Sequence, residues 1–313
     1  MGFKEAVAAA IAGKQLDALV SSARQVLDQV IEGTKAVPGI RRSYDETKRV
    51  LDELARRFGP PVFPTGQPNL KVLPAYTNFL VAKKAVEYLA KLVSNLVAFS
   101  RVYTGIEEVL RREGLSTDAD TLAMVVRQIA RFIMDTDTKF AGVPEYSAAK
   151  AKILSRAEAD RRTRGVSDPV DPGWIEAQIS AAEAEFPGSG LSGAPVALVP
   201  LLISLAKTVA VIVGVVLVAS RVADAAGGKS KQLFELYMNA EEEKKITAQR
   251  LRAEGKSEAE VQAALAAIDK SVAEKAEEIQ KASTGVEAFA KGTIGTVLAI
   301  AGIAIGTKAV GLW

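Results

Sequence analysis

The sequence predicts an all-α chain, and three observations carry that prediction. Apolar residues recur at three- and four-residue spacings through most of the 313 positions. No segment alternates apolar and polar residues as a half-buried strand would. Gly and Pro fall between the periodic stretches, where helices stop.

The first periodic stretch runs through Leu16, Leu19, Val20, Ala23 and Leu27. The apolar run Ala6 to Gly13 before it is short for the centre of a signal peptide and continues smoothly into this helix. Gly2 lacks the Ser or Thr that myristoylation wants, because Ala6 stands there. Ser43 and Glu46 form an S-x-x-E capping box that predicts a helix start, with Tyr44, Thr47, Leu51, Leu54 and Phe58 on one face and Gly59, Pro60 and Pro61 as its stop. Five prolines then make residues 59–76 an extended strap. A long helix is predicted from Tyr76 to Glu113, with Phe79, Val86, Leu89, Leu92, Val93, Leu96 and Phe99 inward. Others follow over Thr117 to Lys139 and Glu145 to Arg164, and one opens at Asp171 with Pro172 in its first turn. Residues 1–190 thus read as a helical bundle closed by a Gly/Ser linker at 187–195.

Residues 191–313 have a different character. From Ala194 to Ser220 the only charge is Lys207, so an apolar helix over about 200–222 is long enough to cross a bilayer. Three settings suit Lys207: an ammonium that snorkels to the near interface, one facing protein or a watery lumen, or a place on a buried helix of a soluble core. A second apolar helix is expected over about 291–311, with Lys291 and Lys308 at its edges, a G-x-x-x-G of Gly302 and Gly306 for close helix approach, and Trp313 suited to an interface. A glycine-rich tail packed in an assembly is the alternative.

Between them, residues 231–282 read as an antiparallel hairpin with its tip at 255–257. Gly255 stops one arm, and Ser257 with Glu260 caps the next. On the return arm Val261, Leu265, Ile268, Val272, Ala276 and Ile279 follow the mixed three and four spacing expected for the seam of an antiparallel coiled coil. Ala226 to Ser230 and Ser283 to Gly285 are expected to mark the two membrane-proximal ends. The fold class is therefore an N-terminal helical bundle followed by two apolar, membrane-length helices joined by a long antiparallel helical hairpin.

The chain has neither cysteine nor histidine, which excludes disulfides, thiolate or imidazole metal sites, a cysteine nucleophile and a histidine base. Asp118 with Asp120 and Asp135 with Asp137 lack the loop pattern of a calcium site and read as helix-end residues. Arg156, Arg161, Arg162 and Arg164 are interrupted by Glu158 and Asp160 and read as a solvated face, not a nucleic-acid patch. With 40 basic and 37 acidic residues, net charge points to no polyanion. No phosphate-binding loop occurs, so no catalytic residue, cofactor or metal is assigned and no enzyme is expected.

Mean hydropathy of +0.13 suits a chain with a lipid-like minority. The expected partners are a lipid bilayer and protein, as a homo-oligomer or larger assembly. From Pro195 to Trp313 the arrangement resembles helical ejection or pilot proteins carried in phage particles, and α-helical pore formers with a hydrophobic hairpin. That resemblance implies a virion-associated assembly or membrane-penetration component, or a secreted pore former; a resident membrane subunit that scaffolds a larger complex is the other expectation for an apolar helical chain without an enzyme signature. Arg221, Lys229, Lys231, Lys275 and Lys281 flank the hairpin side, whereas Gly165 to Ala206 has no basic residue. The positive-inside rule then places the hairpin in the cytoplasm and a domain of about 190 residues outside it, a topology more natural for a delivered protein than for a co-translationally inserted one.

Overall fold

The computed structural model describes residues 15–163 and 198–281, together with Val7 and Ile11. Six helices lie among the described residues: α1 Leu16–Phe58, α2 Leu73–Arg112, α3 Ser116–Lys139, α4 Pro144–Thr163, α5 Leu198–Ala253 and α6 Glu258–Lys281. None of the described residues forms a strand, and Val62 and Pro68 share one isolated bridge. The chain divides into two compact units, each drawing on both sides of position 190. Among the described residues, the first holds 15–41, 85–163 and 198–220, and the second 42–84 and 221–281. The predicted linker at 187–195 and the helix at Asp171 lie outside the described residues.

In the first unit the inward stripe of α1, including Leu19, Val26 and Ile40, is buried with Leu89, Leu92, Leu96, Phe99 and Ile106 of α2. Leu122, Val125, Ile129 and Phe132 of α3 complete the faces that the spacing predicts. Each such side chain contributes roughly 1.5–3 kcal/mol by leaving water. Gly33 lets the helices approach closely, since a Cβ there would lie 3.3 Å from a Leu92 methyl carbon. Ser94 and Asn95, buried on α2, donate to the carbonyls of Ala90 and Lys91 one turn back at 2.9 and 2.8 Å.

The second unit is organised around Val50 and Leu54 of α1, Val72 and Ala75 at the start of α2, Leu233, Tyr237 and Ala240 of α5, and Val272 and Ala276 of α6. The strap is tied to the end of α1 by Asn69, whose amide donates to the Phe58 carbonyl at 2.7 Å. Its turns use Gly59 and Gly66 at φ of 91° and 81°, a region where glycine has no Cβ penalty.

Three expectations are corrected. Ser43 does not start a helix: α1 runs unbroken from Leu16 through Pro38, and Ser43 is buried with its hydroxyl donating to Asp224 at 2.7 Å instead of capping a backbone amide. Interior proline costs about 3 kcal/mol, and burial of Val37 and Ile40 beside it offsets that cost. Ala226 to Ser230 does not break the chain either, since both glycines lie inside α5. The predicted seam on α6 is not that of a two-helix coiled coil: Val272 and Ala276 share their core with α1, α2 and α5.

Candidate functional site

The sequence singles out two features of residues 198–281: the apolar stretch with Lys207, and the turn at Gly255. Among the described residues, one helix, α5, is long and apolar enough to cross a membrane, and 61% of its most apolar window is buried inside the protein. From Val209 to Ser220 no residue is exposed, whereas Lys207 and Arg221 on either side are. Val209, Ile212, Val213 and Val216 are fully buried or nearly so. β-branched residues dominate here and lose side-chain freedom in a helix, so burial in an apolar setting, not intrinsic propensity, holds the stretch helical.

A polar layer follows in the second unit. Asp224 accepts from Ser43 at 2.7 Å and from Arg42 at 3.5 Å. Asn78 donates to the Ser230 hydroxyl at 3.1 Å, both fully buried. Lys229, 8% exposed, donates to the Gln280 carbonyl at 2.9 Å. Gly227 lies against Ser43, where a Cβ on it would be in ordinary van der Waals contact, 3.7 Å from Ser43 Cβ. Sequence reading missed Asp224, Asn78 and Ser230; the available signal was polar side chains on otherwise apolar helix faces.

At the turn, Gly255 has φ of 74°, and the Lys256 amide donates five residues back to the Leu251 carbonyl at 3.0 Å, closing α5 with a Schellman bond. Ser257 and Glu260 then cap α6 reciprocally: the Ser257 amide donates to the Glu260 carboxylate at 2.9 Å and the Glu260 amide to the Ser257 hydroxyl at 3.3 Å. The Ser257 amide, its hydroxyl and the Lys256 ammonium hold the Glu260 carboxyl below the usual range. Helices α5 and α6 touch at three levels: Arg252 on Glu258 at 2.8 Å, Lys244 on Asp269, and Lys229 on Gln280.

The remaining sequence candidates have ordinary partners or lie elsewhere. Asp120 pairs with Arg111 at 2.9 Å, and Asp137 accepts from Tyr146 and Lys150 at 2.7 Å. Arg162 is exposed and bonds Glu158. Among the described residues no group of three or more carboxylates gathers as a cation would need. Lys291, Gly302, Gly306, Lys308 and Trp313 lie outside the described residues. No protein-family model, curated protein or solved structure matches this chain.

Proposed function

We propose that this chain is a non-enzymatic helical protein that carries an apolar helix within a bundle and transfers it to a lipid bilayer, as a virion-associated assembly or membrane-penetration component. The observation that supports this is the partial shelter of α5: the helix is long and apolar enough to cross a membrane, and its most apolar part, Val209 to Ser220, shows no exposed residue. Moving such side chains from a protein core into hydrocarbon exchanges one apolar setting for another, so the step gives up packing more than hydrophobic burial. Lys207, exposed two turns into the helix, would stay at the interface on insertion. The hairpin of α5 and α6 would remain in water, since its outer faces are charged.

The same burial favours a second reading, a scaffold subunit in which the stretch is a permanent core element. One experiment separates them. Cysteines at Ser43 and Gly227 fall within disulfide reach, given the 3.7 Å Cβ separation, in a chain with no other cysteine. For the transfer reading, vesicle leakage by the reduced variant should match wild type, vanish on oxidation and return on reduction. Absence of flotation and leakage with both neutral and anionic vesicles would leave the scaffold.

A further inference from the structure

The second unit contains a cavity of about 380 Å³, within the range of roughly 300–1,000 Å³ typical of small-molecule sites. Leu70 and Pro74 form one wall, Val272, Ala273 and Ala276 the other, and Tyr237 lies between them. Leu70 is 75% exposed, an apolar side chain held at the lip in water. Tyr237 is the reverse: only 5% exposed as a whole residue, its ring tilted against Phe58 at 6.0 Å between centres, with an accessible hydroxyl that makes no hydrogen bond to the described residues. The ring is held in place by packing, and the hydroxyl is left as a donor for whatever occupies the cavity.

The charges at the rim are already spent on one another. Asp269 is held by Lys244 and, at 3.5 Å, by Lys71; Glu277 is held by Lys281 at 2.5 Å. The Lys71 ammonium also lies 5.0 Å from the Phe58 ring centre. A charged ligand would have to break these pairs, whereas an uncharged one with a single acceptor would complete the Tyr237 hydroxyl. Burial raises the affinity of that hydroxyl for its proton, so it stays a donor through neutral pH.

We infer that this cavity binds a single aliphatic chain bearing an uncharged carbonyl or ester oxygen, which accepts from Tyr237. The inference stands apart from transfer of α5, because it concerns binding in plain buffer without a bilayer. Titration calorimetry of the full chain with methyl decanoate should show saturable binding at one site. Tyr237→Phe should weaken it about tenfold, the loss of one hydrogen bond. Ionised decanoate should bind at least tenfold more weakly than the ester. Ala273→Trp, placed at an exposed position of the wall, should abolish binding while helix content and melting temperature stay at wild-type values; Leu70→Trp closes the site from the opposite side. A diacyl phosphatidylcholine, with two chains, should not compete. No saturable binding by wild type, equal binding by both tryptophan variants, or indifference to Tyr237→Phe would overturn the assignment.

Discussion

Two halves of one helix follow different rules. In α5 the stretch from Val209 to Ser220 has no exposed residue, while from Lys231 to Ala253 exposed residues recur in every turn and Leu233, Tyr237, Ala240 and Ala248 form the buried stripe. Spacings of three, four and eight tell the polar half which face must be covered. The apolar half has no such stripe: nearly every position suits an apolar setting, so its hydropathy does not distinguish protein from lipid as the cover. Pattern carries orientation only where polar residues interrupt it.

The largest test of that contrast places a carboxylate in each half. Val213→Asp buries a charge without a partner, and the first unit should lose about 4 kcal/mol or more, enough to abolish cooperative thermal unfolding in a circular-dichroism melt. Ile246→Asp, at a position 58% exposed, should stay within about 0.5 kcal/mol of wild type. Equal effects at the two positions would erase the distinction.

Next in size is Ala264→Pro in the interior of α6. It removes a helix hydrogen bond and clashes one turn back, at about 3 kcal/mol or more, and should lower the urea midpoint without emptying the first unit of helix. A smaller change is expected from Gly255→Ala. No atom lies within 4 Å of the new Cβ, so only the positive φ opposes it, at about 1 kcal/mol.

Ser257→Ala sharpens the turn further, with a loss of about 0.5–1 kcal/mol from the α6 cap. Its pH signature is specific. Glu260 is held below the usual carboxylate range, so its contribution is present above about pH 4.3 and is lost as pH falls through its lowered folded pKa. Stability measured from pH 5 downward should therefore fall less steeply in Ser257→Ala than in wild type.

Local chemistry by itself determined the helical class, the strap and the closing turn. Proline cannot donate to a helix, Gly255 tolerates the left-handed region, and Ser257 with Glu260 satisfies orphan amides within four residues of chain. The inward faces of α2 and α3 were equally legible, because their apolar spacing is uninterrupted. Only tertiary structure decided that α1 continues through Pro38 and Ser43, since Ser43 has two ways to use its hydroxyl and its part-buried contact with Asp224 outcompetes local capping. The two glycines at 227 and 228 likewise stay helical because Gly227 is packed against Ser43. That Tyr237 lines a cavity with no acceptor for its hydroxyl among the described residues, and that Asn78 meets Ser230 across 152 positions of sequence, depend on which faces pack together. Such long-range pairings leave no period in the chain, because the partner that satisfies each polar group is chosen by packing and not by spacing.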